Sequence, residues 1–203
     1  MSTHTVEIEI TERVTEPIPI PTKRATHGIS GPYEGERNEL GERHGQGAQV
    51  FYDGRRYVGK WVSDMMNDEK GTMTWSDGKS YIGGFVDDRR EGRGLCIQPS
   101  GRRYEGEWKD GKPHGTGTET WPDGKTYTGD FVAGKKEGEG VLVHADGRKY
   151  DGPWQGGLKH GKGVETWPNG QKYSGVFIEG RKDGGGVWNY TDGSTYDGQL
   201  QDG

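Results

Sequence analysis

From residue 33 onward, large apolar side chains and glycine take alternate positions over short stretches, and the stretches recur along the chain. In the clearest one, Tyr104, Gly106 and Trp108 alternate with Glu105 and Glu107. Alternate residues of a strand share a face, so these three mark one side of a β-strand. A tyrosine takes the first position eight times, at Tyr33, Tyr57, Tyr81, Tyr104, Tyr127, Tyr150, Tyr173 and Tyr196, at intervals of 24 or 23 residues. Glycine follows two positions on in every copy. A large ring follows four positions on in six: Trp61, Phe85, Trp108, Phe131, Trp154 and Phe177. A fixed period of this length predicts a repeat array.

Within a repeat, turn residues punctuate the alternation. Asp110-Gly111-Lys112-Pro113 predicts a turn after the first strand, and Gly115 to Trp121, rich in threonine, predicts a second strand. A second turn follows at Asp123-Gly124 and recurs at Asp53-Gly54, Asp77-Gly78, Ser100-Gly101, Asp146-Gly147, Asn169-Gly170 and Asp192-Gly193. The Asp-Gly pair predicts a tight turn with both residues at positive φ. Each repeat therefore reads as one β-hairpin with no room for a helix. The fold class is all-β: a single elongated, twisted antiparallel sheet of tandem hairpins. Seven hairpins give 14 strands, which at ~4.8 Å each make a sheet roughly 65–70 Å long. The ring-bearing face becomes either a groove or a filled seam. Its structural or interaction residues are Tyr81, Phe85, Tyr104, Trp108, Trp121, Tyr127, Phe131, Tyr150, Trp154, Trp167, Tyr173 and Phe177.

Composition alone suggests disorder, with 39 glycines and 27% hydrophobic residues. The aromatics, however, are not scattered: all lie between Tyr33 and Tyr196, and most fall in register. That arrangement predicts a long, thin core stabilised between neighbouring repeats. Net charge is −5, without the basic stripe of a nucleic-acid binder or the polybasic excess of a protein held to acidic lipid. The single cysteine, Cys96, excludes an internal disulfide and makes a reducing, cytosolic compartment the expectation. No apolar run approaches the ~20 residues of a helical membrane span, and the first residues lack a secretory signal pattern.

Residues 1–30 differ in kind. They hold no aromatic residue, and Pro17, Pro19 and Pro21 alternate with Ile18 and Ile20. Val6, Ile8 and Ile10 alternate with polar residues, as in a half-buried strand. The segment reads as an extended or flexible N-terminal piece, followed by a repeat array over 31–203.

Catalytic and metal chemistry find no constellation. His44, His114 and His160 precede the second-strand glycine of their repeats, which predicts a column along one rim rather than a shared site. Gly-x-Gly pairs such as Gly115/Gly117 and Gly138/Gly140 lack the Lys-Ser/Thr of a nucleotide loop, and read as strand glycines beneath rings from the adjacent strand. Cys96 reads as a packing residue, and the carboxylates as turn and surface groups. No cofactor is called for, and the chain reads as non-enzymatic; residues 1–30 are too short for a catalytic domain.

The segment from Tyr104 to Lys125 is similar to the MORN repeat, a unit beginning Tyr-x-Gly-x-Trp, and the similarity runs from Tyr33 to Gly203. The first repeat departs from it. Arg37 stands where the second ring belongs, and one extra residue precedes Gly41. The run YEGERNELGERHGQG, residues 33–47, closely resembles the opening repeat of the radial spoke head protein 1 homologues. That resemblance implies a non-enzymatic part of the axonemal spoke head in motile cilia and flagella, within the cytoplasmic cytoskeleton. It implies as partners the other spoke-head subunits, a second MORN protein or a second copy of the chain, and passing contact with the central-pair projections. The alternative is a MORN array bound to phosphoinositide membranes or to another cytoskeletal structure. In the second repeat, Asp64 with Met65, Met66, Asn67, Asp68 and Glu69 replaces the glycine turn, which predicts an irregular loop and a possible partner contact.

Overall fold

The computed structural model describes residues 31–200. The alternating Val6–Ile10 stretch and the proline run at 17–21 lie outside them. The described residues form one antiparallel sheet of 17 strands and no helix. The first three repeats contribute β1 (Glu34–Arg37), β2 (Arg43–Val50), β3 (Arg56–Val62), β4 (Met65–Met66), β5 (Asp68–Thr74), β6 (Ser80–Val86) and β7 (Arg89–Ile97). The middle of the array holds β8 (Arg103–Lys109), β9 (Lys112–Thr120), β10 (Thr126–Val132), β11 (Lys135–Val143) and β12 (Lys149–Gln155). The last part holds β13 (Leu158–Lys159), β14 (Gly161–Thr166), β15 (Lys172–Ile178), β16 (Arg181–Asn189) and β17 (Thr195–Leu200).

Each strand pairs with the next in sequence, as a meander requires; for example, β9 pairs with β8 and β10. β4 and β5 share one place beside β3, and β13 and β14 share one place beside β12. The expected 14 strands thus become 15 positions, the last contributed by the eighth tyrosine's strand.

The rings fill the seam; no open groove remains between them. Tyr57, Tyr81, Tyr104, Tyr127 and Tyr150 each lie edge-on between the ring of their own repeat and that of the next. Tyr81 sits 5.2 Å from Phe85 and 5.1 Å from Trp108, and Tyr127 sits 5.2 Å from Phe131 and 5.1 Å from Trp154. Edge-to-face packing suits the aromatic quadrupole. Tyr57, Tyr81, Tyr127, Tyr150 and Tyr173 have no exposed surface. The hydroxyl of each of the eight repeat tyrosines donates to the carbonyl three residues on, as Tyr104 does to Glu107 at 2.8 Å. The rings lie flat only because glycine is beneath them. A Cβ on Gly117 would stand 2.5 Å from the Tyr104 hydroxyl.

Three local expectations need correction. The two glycines of each Gly-x-Gly pair do different work. The second lies under the ring, whereas the first is left-handed, with φ 54° at Gly115 and 62° at Gly138, and forms a bulge that shifts the register between Gly106 and Glu107. The Asp-Gly turns between repeats have only glycine at positive φ, for example Gly124 at 88°. They are three-residue loops in which Gly124 donates to the Trp121 carbonyl and Asp123 accepts from the Lys125 amide. Aspartate is there as an acceptor. Both turn residues reach positive φ at the opposite rim instead, at Ser63-Asp64, Asp87-Asp88, Asp110-Gly111, Ala133-Gly134, Gly156-Gly157 and Glu179-Gly180.

The second repeat keeps that tight turn at Ser63-Asp64, so Met65 to Glu69 are not a loop. Met65 and Met66 form β4, Met66 is buried in the core, and Asn67 begins an enlarged bulge in which Asp68 accepts from the Lys60 amide at 2.6 Å. The extra residue is absorbed in the bulge. In the first repeat the extra residue lengthens the turn to Asn38–Glu42, closed by Asn38 and Glu42 backbone bonds. Arg37 there covers the outer face of Tyr33 at 5.0 Å, and Gln49 donates to the Gly31 carbonyl. Both are polar ends for an apolar stack.

Candidate functional site

The ring face carries charge at positions where strand alternation predicts core. One column lies directly across from the rings: Met66, Arg90, Pro113, Lys136, Lys159 and Lys182, with Arg43 opposite Arg37 in the first repeat. The tight turns set it, because each of the six stands two places after its turn and opposite the ring, as Lys136 stands opposite Phe131. Their stems cover the seam while the charges meet aromatic faces. Arg43 lies 4.1 Å from the Trp61 ring centre, Arg90 4.3 Å from Trp108, Lys136 4.8 Å from Tyr127, and Lys159 4.8 Å from Tyr150.

A second column faces the tyrosines: Gln49, Met73, Cys96, Glu119, Leu142, Glu165 and Trp188. Glu119 and Glu165 are buried, 5% and 3% exposed. Each is held by two cations. Glu119 pairs with Arg102 and with Lys136 at 3.6 Å, and Glu165 pairs with Lys159 at 2.7 Å and Lys182 at 2.6 Å. Burial alone would raise the Glu165 carboxyl, but hydrogen bonds and charge from both lysines hold it below the usual carboxylate range. Burial lowers Lys136, partly offset by Glu119. The Cys96 thiol is pushed up by burial, with Lys79 and Arg90 opposing, so it is not an activated nucleophile.

Half-exposed tryptophans end the second strands of alternate repeats, at Trp75, Trp121 and Trp167. Cations lie over them: Lys79 over Trp75 at 4.6 Å, Lys125 over Trp121 at 4.4 Å, and Lys182 over Trp167 at 5.0 Å. Trp167 stacks on Trp188 at 5.0 Å, and Trp188 on Tyr190 at 6.1 Å. The opposite face has a shallow hollow of about 440 Å³ lined by Val164, Val176 and Val187.

Of the expected interaction residues, Tyr81, Phe85, Tyr104, Trp108, Tyr127, Phe131, Tyr150, Trp154, Tyr173 and Phe177 are interior seam residues; Trp121 and Trp167 are the two with accessible surface. Met65 and Glu69 are exposed, Asn67 and Asp68 partly so. The carbonyls of His44, His114 and His160 approach the hydroxyls of Tyr33, Tyr104 and Tyr150, and no group of three metal-ligating side chains occurs among the described residues. In the sequence, charged residues next to turns suggest solvent, which hides the glutamate–lysine lattice. The recurrence of Arg90, Lys136, Lys159 and Lys182 two places after their turns is the signal that reveals it.

A meander of near-identical hairpins around one aromatic seam defines a repeat scaffold. The MORN repeat model matches residues 39–55, 57–80, 81–101, 104–126, 127–147, 150–172 and 173–195, and this chain belongs to that family. Among curated proteins, the inactive protein tyrosine kinase pTKL of Plasmodium falciparum (isolate 3D7) is 30% identical over 66 residues, or 32% of this chain and 4% of that protein. The match therefore spans a small fraction of the relative's length. Among solved structures, the TCP domain of SAS-4 from Drosophila melanogaster, in complex with a proline-rich motif of Ana2, superposes with a TM-score of 0.50 at 11% identity, covering 91% of this chain and 99% of that one. The G-box domain of the microcephaly protein CPAP superposes with a TM-score of 0.40 at 15% identity, covering 81% and 91%. These likenesses are of fold.

Proposed function

We propose that the chain is a non-enzymatic structural component of the radial spoke head in motile cilia and flagella, a rigid array that holds other proteins in place. The observation that carries this reading is the run from Tyr33 to Gly47, which resembles the opening repeat of the spoke-head MORN proteins. Arg37 by itself adds little, since capping an aromatic stack explains it at any array end. Supporting the scaffold role, the core is spread along the sheet as one aromatic cluster. The partners are the other spoke-head subunits, a second MORN protein or a second copy, with passing contact to the central-pair projections. The test is to localise the tagged protein in a motile ciliated cell and to score beating after its deletion. Axonemal localisation with an altered waveform is expected; absence from the axoneme, or normal beating without it, rejects the reading.

A second observation favours one mode of contact. The similar TCP-domain sheet is in complex with a proline-rich motif. An extended segment laid on a sheet face is accordingly the ligand form we propose for this array.

A further inference from the structure

The cations of the ring face are not all matched. Pro113 stands 46 residues before Lys159, at the equivalent place two repeats earlier. With no lysine there, the arginine that follows the inter-repeat turn, Arg102, reaches Glu119 and donates through Nε at 2.6 Å. Two repeats later Lys159 is present and takes Glu165 together with Lys182. Arg148, the counterpart of Arg102, is left without a carboxylate. Its Nε is the one buried side-chain nitrogen or oxygen without a hydrogen-bond partner among the described residues. Such a donor is costly to bury. The Nε is itself covered, so it marks Arg148 as uncompensated, and an outside anion would meet the rest of this partly exposed side chain.

Its surroundings are cationic as well. The His144 amide donates to the Arg148 carbonyl at 2.8 Å. The His144 ring is held toward its neutral form by burial and then by Arg148, Lys159 and Lys125, with Asp146 opposing. Lys125 lies over Trp121 and makes no ion pair among the described residues. This cluster belongs to the fifth repeat and its borders, between the half-exposed Trp121 and Trp167.

We infer that Arg148, Lys125 and His144 form an anion site on the ring face, filled by a carboxylate of an extended acidic segment of a partner protein. A carboxylate is what the equivalent guanidinium, Arg102, binds inside this chain. Its delocalised fork of donors suits that group. Trp121 and Trp167 stand four strand positions apart, ~19 Å. About six residues of extended chain cover that span at ~3.3 Å each, so one segment can rest on both rings and reach Arg148 between them. The inference rests on the scaffold reading. It is tested on the purified chain, so its failure is separate from failure of axonemal localisation.

The experiment titrates a short poly-L-glutamate peptide into the protein, followed by tryptophan fluorescence. Saturable, salt-sensitive binding is expected, weakened about tenfold or more by Arg148→Ala and by Arg148→Gln. Arg103→Ala and Lys162→Ala, on the opposite face, leave it unchanged. Thermal unfolding is measured alongside. Arg148→Ala is expected to keep or raise the melting temperature, whereas Arg102→Ala lowers it. Absence of saturable binding, equal weakening by the opposite-face variants, or a melting loss in Arg148→Ala as large as in Arg102→Ala overturns the site. So does binding to vesicles of acidic lipid without binding to the peptide.

Discussion

Glycine has two roles in this chain, one set by a ring above it and one by its own backbone. Gly140 has the Tyr127 ring against it, so a methyl group has no room unless the ring lifts. Gly140→Ala is expected to destabilise the array by about 2 kcal/mol, as overpacking does, measured by chemical unfolding. Gly138, left-handed at φ 62°, refuses a side chain for a backbone reason, and alanine there costs about 1 kcal/mol. The Tyr-x-Gly-x-ring alternation was legible in sequence. The split within Gly-x-Gly was not, because a bulge depends on where the partner strand ends. The tyrosines also set a pH limit. Burial pushes the Tyr104 and Tyr150 phenols up to about 12, from an ordinary value of 10.0. Tyr57, Tyr81 and Tyr127 are raised by the same cause. A folded-state pKa above the unfolded one favours folding fully below pH 10 and loses that contribution as pH rises toward 12. Alkaline titration should therefore unfold the sheet in that window, with ionisation of the buried rings and loss of circular dichroism coincident. Ionisation of the buried rings in a still-folded chain, read with the exposed Tyr52, Tyr190 and Tyr196 replaced by phenylalanine, would contradict the buried-ring account.

A hairpin here is an exchangeable unit with adjustable fittings. The second repeat shows it: the sequence suggests a ragged loop, yet Ser63-Asp64 hold the tight turn, and Asp88 accepts from the Met66 amide at 2.8 Å. Asparagine and aspartate tolerate left-handed backbone, so the lost glycines do not cost the turn. That compensation was illegible because it depends on a carboxylate from the following repeat. Between hairpins, Glu165 ties two cations of successive repeats together. Glu165→Gln leaves both ammoniums half-buried without a counter-charge, and is expected to lower stability by about 2 kcal/mol in thermal or denaturant unfolding. The carboxyl's folded pKa is depressed below 4.5, so its contribution is present above that pH and is lost on acidification. In the variant, this part of the acid sensitivity should disappear.

Across the whole molecule the repeats alternate. Trp61, Trp108 and Trp154 occupy the ring position in even repeats, and Phe85, Phe131 and Phe177 in odd ones. The indoles donate to glycine carbonyls of the preceding repeat, Trp108 to Gly94 at 3.0 Å and Trp154 to Gly140 at 3.1 Å. Removing residues 104–126 alone would bring Phe85 and Phe131 into adjacent repeats, whereas removing 104–149 preserves the order. The longer deletion is expected to keep the higher unfolding midpoint despite the shorter array, measured by denaturant titration. The two rims of the sheet also differ. Along one, each tight turn donates a backbone bond to the hairpin before it, from Asp64 to Arg43 at 3.0 Å through to Gly180 to Lys159 at 2.9 Å. Along the other, the backbone bonds of the turns close within each turn, and neighbouring turns meet only by contact, as Gly101 meets Pro122. A beam stitched along one side and merely stacked along the other bends easily in one direction and resists in the other. Pushed sideways, such a rod is expected to open more readily at its unstitched rim, a directional compliance set by the placement of turns.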